Sequence, residues 1–243
     1  MNPSKKRSSQ CAPAVAGKFY PENPVELEKK ISCHLGNLSK KKQKAIGVVS
    51  PHAGFIYFGD IAGAIYSRIK IPETLILLSP NHTGSGENIS VMTEGIWSIP
   101  MGYIAIDEEL ATQLCKETSI VKPVPAEHQF ESSLEIRLPF LQCLKNDFHI
   151  VPICLKKMGF PICKKLSEGI VKALEQTGKT ALINASSDMT HFESHRIAEG
   201  KDKKAIIKIK NRNTLGIYES VRQEQISMCG VNPVTVMLLC CEN

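Results

Sequence analysis

The stretch Thr74-Leu-Ile-Leu-Leu-Ser79, followed at once by Pro80-Asn81-His82-Thr83-Gly84, decides the fold. It is of strand length, almost continuously apolar, and shows no polar alternation. That is the habit of a strand covered on both faces. Two neighbours repeat the plan. Ala45–Ser50 leads into Pro51-His52-Ala53-Gly54, and Thr180–Ala185 leads into Ser187-Asp188-Met189-Thr190-His191. Ile150–Leu155 is a fourth buried run, and the shorter Ile89–Met92 and Tyr103–Ile106 read as further strands on an antiparallel edge. Helical patterns lie between them. Asn23-Pro24-Val25-Glu26 combines an N-cap, a proline in the first turn and a capping-box glutamate, and Leu27, Ile31 and Leu35 follow at four-residue spacing. Asp107 caps a helix carrying Leu110 and Leu114, and Leu166, Ile170 and Leu174 form another stripe. Strands alternating with helices predict an α/β fold: one domain over residues 1–243, with a mixed, mostly parallel sheet flanked by helices.

Composition narrows the class. In 243 residues, 42% are hydrophobic and 22% charged, which excludes wholesale disorder, collagen-like repeats and a coiled coil. No stretch approaches the ~18 to 20 apolar residues of a membrane helix. The basic start lacks an apolar core, so no secretory signal is expected, and the expected location is cytoplasmic. Net charge is +6, concentrated at Lys40–Lys44 and Lys201–Arg212. With aromatics at only 6% and no binding motif around either cluster, these read as solvated faces rather than a nucleic-acid surface. The nine cysteines include no C-x-x-C pair, so neither a disulfide framework nor a zinc ribbon is expected.

The informative feature is the position of the histidines. His52, His82 and His191 each follow a buried strand, in the loops where open α/β sheets bind ligands. Neutral imidazole is the commonest metal ligand and the usual general base near neutral pH. Two histidines and one anionic ligand leave open coordination positions suited to iron(II). The anion is Asp188, which could instead orient the His191 ring or take its proton, or Cys229, in Met228-Cys229-Gly230-Val231-Asn232-Pro233 ahead of an apolar helix whose amino terminus favours thiolate. A hydrolase would use the same atoms differently, with Cys229 as nucleophile, a histidine as base and Asp188 as orienter. Serine-hydrolase elbows, Walker loops and dinucleotide fingerprints are absent from the sequence.

An ordered set of motifs then carries a resemblance across nearly the whole chain. It runs from Pro13-Ala-Val-Ala-Gly-Lys-Phe-Tyr-Pro21 through PHAGFIYFG, SPNH, Trp97-Ser-Ile-Pro-Met-Gly102, SSLEIRLPFLQ and SSDMTHF to MCGVNP. In these the chain resembles the Memo family, which includes the AmmeMemoRadiSam system protein B proteins. That family is similar to the class III extradiol ring-cleaving dioxygenases, which use non-haem iron(II). The resemblance implies a class III extradiol dioxygenase-like fold with metal ligands at His52, His82 and Cys229, and with Asp188 and His191 beside the pocket as acid/base groups. It implies Fe(II) as cofactor, with copper or zinc as alternatives, and a metal-dependent oxidoreductase or metal-handling role. Because animal members are regarded as adaptors for a tyrosine-phosphorylated receptor peptide, it also implies an alternative: a non-catalytic phosphopeptide-binding or protein-binding module using the same pocket. The pocket's partner is then a small molecule or a phosphopeptide.

Two departures from the family pattern bear on these expectations. The family shows Glu-His-Ser-x-Glu where this chain has Glu131-Ser132-Ser133-Leu134-Glu135, so a serine stands at the histidine position. His128, four residues upstream of Ser132, is the candidate to approach the pocket in its place. Family members also continue with further strands beyond the helix after Cys229-Gly230, and the expectation here is a domain without them.

Overall fold

The protein is described by a computed structural model over residues 10–36, 41–124 and 128–242. The long apolar runs form β2 (Gly47–Ser50), β3 (Thr74–Pro80), β8 (His149–Leu155) and β9 (Ala181–Ser186). Shorter strands are β1 (Gln10–Cys11), β4 (Ile89–Val91), β5 (Ile96–Ile99), β6 (Gly102–Ile106) and β7 (Lys122–Pro123). The described residues make one sheet of order β1-β5-β6-β8-β3-β9-β2, with β4 pairing β7 and β8 off this path. Its centre is parallel: β3 pairs with β8 and β9, and β9 with β2. The β5–β6 and β4–β8 pairs are antiparallel. The predicted mixed, mostly parallel α/β sheet is therefore observed. The expected antiparallel edge is more intricate than predicted, since β6 lies inside the sheet and runs parallel to β8.

The helices fall into two groups. On one side α1 (Pro24–Leu35), α2 (Phe55–Tyr66), α4 (Ser132–Glu135) and α5 (Leu138–Leu144) pack on one another and on β2 and β3. On the other, α9 (Val231–Glu242) lies on β9, β3 and β2 and against α6 (Phe160–Thr177), which α3 (Glu108–Glu117) flanks. The peripheral α7 (His195–Lys210) and α8 (Thr214–Gln223) complete this side. Every residue of β3 is buried, as the absence of polar alternation requires of a strand covered on both faces. The helix starts follow the sequence. Asn23 Oδ1 accepts hydrogen bonds from the N–H groups of Val25 and Glu26 (2.9 and 3.1 Å), and Asp107 Oδ1 accepts from Leu110 N (3.1 Å).

Close approach of α9 to the sheet depends on two glycines. A Cβ at Gly47 would collide with the Met237 side chain, and one at Gly230 with the Ser186 carbonyl and Ser187. The Lys201–Arg212 cluster lies mostly on α7, where lysines pair with glutamates: Lys201–Glu193, Lys203–Glu199 and Lys204–Glu224. On this helix Ile206 and Ile207 are exposed, while Ala205 is buried and Ile209 packs against the core. All nine cysteines are free thiols, and among the described residues no helix is long and apolar enough to cross a membrane.

Candidate functional site

Three strand ends and one helix start converge at the carboxyl edge of the central sheet. β2 delivers His52, β3 delivers His82, β9 delivers Asp188 and His191, and the turn before α9 delivers Cys229. One ligand-capable atom each from His52, His82 and Cys229 lies within 4.8 Å of the other two. The two imidazole rings stand 5.1 Å apart between centroids, tilted by 67°, and Cys229 Sγ is 3.4 Å from His52 Nε2.

Both rings are turned by partners behind them. His82 Nδ1 donates to Glu131 Oε1 (2.8 Å), and the His82 backbone N–H donates to Oε2 of the same carboxylate (2.8 Å). His52 Nδ1 lies 2.8 Å from Ser186 Oγ. The Ser186 hydroxyl has one proton, which it donates to the Ser133 carbonyl (3.2 Å), so it accepts from His52 Nδ1–H. That leaves the Nε2 lone pair of His52 facing the cluster, the tautomer a metal ligand requires. The backing groups are themselves buried and joined: Ser133 Oγ donates to Glu131 Oε1 (2.5 Å) and meets Ser79 Oγ in a short hydrogen bond.

The electrostatics separate the two histidines. Burial, then the positive charges of His82 and Arg137, push His52 down to about 3, so it is neutral at ordinary pH. Its 3.8 Å approach to the Asp188 carboxylate is accordingly not an ion pair. Hydrogen bonds to Cys229 and Glu131 push His82 up to about 10. Burial raises the Glu131 carboxyl, but bonds from His82 and Ser133 outweigh it and hold it below the usual carboxylate range. Beneath lies Arg137, fully buried, donating through Nη1 to the Asn184 carbonyl and Oδ1 (3.0 and 2.9 Å).

The remaining candidates divide. Asp188 accepts from the His52 backbone N–H (2.7 Å), and its own N–H donates to Cys229 Sγ (3.2 Å), so it ties the His52 and Cys229 loops together. It does not orient His191, which corrects that expectation. The His191 ring is held instead by the Ser227 carbonyl (Nδ1–O 2.9 Å), and the His191 backbone N–H donates to Ser227 Oγ (2.6 Å). The physical reason is that chain proximity to Asp188 sets no ring direction once the 227–229 turn packs alongside. His191, Asp188 and Ser132 share a cleft of about 760 Å³ with His52 and His82, rimmed by Lys18, Phe19 and Tyr57. His128 is fully buried, with Nδ1 directed to the Val124 carbonyl (3.1 Å), and it does not line that cleft. Glu131, Ser133, Ser186 and Ser227 were missed as supports. Only Glu131 left a trace in the sequence, as the first residue of the Glu-Ser-Ser-x-Glu segment.

Comparison with known proteins agrees with the motif order. A family model described as Memo-like protein matches residues 11–243. A MEMO1 family protein of Methanopyrus kandleri is 36% identical over 241 residues, covering 94% of this chain and 85% of the relative. MEMO1 family proteins of Ignicoccus hospitalis and Methanosarcina barkeri are each 38% identical, covering 92% and 93% of this chain and 84% of each relative. With ordered motifs, architecture and these likenesses in agreement, the chain belongs to the Memo family.

Proposed function

We propose that this protein holds one transition-metal ion through His52 Nε2, His82 Nε2 and Cys229 Sγ, at a dioxygenase-like site with a redox or metal-handling role. The observation that carries the reading is the convergence of these three atoms within 4.8 Å, with each imidazole backed at Nδ1 by a buried group. The donor set fits a borderline-soft divalent ion. Two imidazoles and a sulfur leave coordination positions open for iron(II), and the sulfur also suits zinc or copper. The bound ion would supply Lewis acidity or redox chemistry. Binding at His82 must displace the proton that its raised affinity retains. Asp188 and His191 line the same cleft, and in this reading they hold or move a proton beside the ion. The nine free thiols are in keeping with a reducing, cytoplasmic location.

The test is elemental analysis of protein purified anaerobically without a histidine tag. The expected result is near-stoichiometric metal in the native chain. The His52→Ala/His82→Ala/Cys229→Ala variant should contain none while keeping its circular dichroism spectrum. Equal metal in that variant sinks the assignment.

A second reading, recognition of a phosphopeptide, is favoured by one observation. Of the exposed aromatic side chains, Phe19 and Tyr57 line the cleft together with Lys18 and Lys30, and Phe192 packs against the lining residue His191. A metal-free protein should then bind a tyrosine-phosphorylated peptide, and loss of that binding on metal removal would count against it.

A further inference from the structure

His82 and Cys229 also border a second cavity, of about 580 Å³, which lacks His52, Asp188 and His191 from its wall. It lies between the ends of β3 and β8 on one side, and α8 and the start of α9 on the other. No aspartate or glutamate is among its described lining residues, but Lys157 and Arg222 are. Neither cation has an acidic partner within ion-pair distance among the described residues. Arg222 is nevertheless held in place: its guanidinium sits over the Tyr218 ring, 5.3 Å from the centroid, and Nη1 donates to Tyr218 Oη (2.5 Å). Tyr218 Oη in turn donates to the Met158 carbonyl (3.0 Å). A planar donor fork stacked in this way is pre-organised for a carboxylate. The rest of the wall joins apolar side chains, including Leu155, Val221, Ile226 and Met228, with the polar Asn81, Gln225, Ser227 and Asn232.

We propose that this second cavity binds a small organic monoanion, an apolar carboxylate whose charged end meets Arg222 and Lys157 and whose body extends toward the His82–Cys229 side of the triad. Concave sites of this size that combine apolar side chains with a few fixed polar groups bind small molecules. Charge-assisted bonds to a forked guanidinium distinguish an acid from an alcohol of the same shape. The binding half of the proposal stands on the cavity alone. Only the approach to the triad rests on the metal-site reading above.

The probe is hexanoate, with hexanol as its uncharged counterpart, titrated by calorimetry into metal-free protein. One saturable hexanoate site and no hexanol site are expected. Arg222→Gln and Lys157→Gln should each weaken hexanoate by about tenfold, the loss of one charge-assisted contact. Lys172→Gln, on exposed α6 surface, should not. Absence of saturable hexanoate binding, equal binding of hexanol, or native affinity in both cavity variants would overturn the site. A cobalt(II)-loaded sample then tests the approach to the triad. Hexanoate should shift its visible bands, and unchanged bands with intact binding would overturn that half. Failure to load cobalt at the triad would count against the metal site instead, and the metal-free titration would still decide the anion site.

Discussion

Two buried carboxylates stand at opposite ends of the sheet and are used differently. Asp107, 5% exposed at the amino ends of the strands, accepts from Thr74 Oγ1 (2.8 Å), Leu110 N (3.1 Å) and Lys179 Nζ (2.6 Å). Burial raises its carboxyl, but these bonds outweigh it and hold it below the usual range. Its partners end there: a helix is capped, and Lys179 is shared with Glu109 (2.9 Å). Glu131, 2% exposed at the carboxyl ends, is equally well satisfied, yet its main partner is His82, whose other nitrogen is left for Cys229. The larger cavity, about 1070 Å³, lies at the Asp107 end, where Lys44, Lys70, Lys145 and Lys179 are matched by Glu73, Asp107, Glu108 and Glu109. Size therefore does not separate the two ends. The convergence of two imidazoles and a thiol does, at the edge where loops of α/β sheets meet ligands.

The widest test of this comparison is a matched pair. Glu131→Ala and Asp107→Ala should each lower stability by about 3–5 kcal/mol, because each leaves two buried donors without an acceptor, Ser133 N and Oγ behind Glu131 and Thr74 Oγ1 and Leu110 N behind Asp107, at about 1–3 kcal/mol apiece. Only Glu131→Ala should also release metal from protein that remains folded, as read by denaturant titration beside elemental analysis. Metal loss from folded Asp107→Ala would erase the distinction between the two ends.

Next in size is an acid effect confined to the carboxyl end. His52 has its affinity for protons lowered, to about 3, so the unfolded chain gains a proton below about 6.5 that the folded chain refuses. Stability of metal-free protein should fall by about 3 kcal/mol between pH 6.5 and pH 4, from that pKa difference over roughly 2.5 pH units. The depressed carboxyls of Asp107 and Glu131 lose their contribution only at lower pH, through their folded values. His52→Asn should flatten the window, and an unaltered acid slope in that variant would refute the assignment. His82 has the opposite sign. Its contribution is complete below about 6.5 and fades as pH rises through about 10, so metal-free stability should peak near neutrality.

Smaller still is the effect of Ser186→Ala, which removes the acceptor behind His52. Metal affinity should fall about 10- to 100-fold with little change in fold, as loss of a ligand's orienting partner does. Native affinity would show that burial alone sets the ring. Least of all, Lys179→Met should lower stability by about 1 kcal/mol or less, shrinking further in high salt, because Lys179 is partly exposed. A loss as large as that of Asp107→Ala would mean the lysine, not the cap, dominates the amino end.

The strands β2, β3, β8 and β9 were legible because their pattern is local: an apolar run of strand length predicts burial wherever it is placed. The Asn23 and Asp107 caps were legible for the same reason, since capping bonds span only two or three residues. The inner position of β6 was not, because Tyr103–Ile106 carries no mark of which neighbour it pairs with. His52, His82 and Cys229 were legible as candidates from their places after strands and before a helix, and the structure brings one atom of each within 4.8 Å of the other two.

By itself, then, the sequence determined the α/β alternation, the helix starts and the histidines on the loops. Tertiary structure decided what each histidine does. Glu131 reaches His82 across 49 residues, Ser186 reaches His52 across 134, and Cys229 reaches His52 across 177. It likewise gave His191 to Ser227 and left Asp188 to tie the His52 and Cys229 loops, although Asp188 and His191 are near neighbours in the chain. Propensity and capping act within a turn or two. The direction of a ring is set by whichever buried donor or acceptor the fold brings behind it, and a one-dimensional pattern does not carry that information.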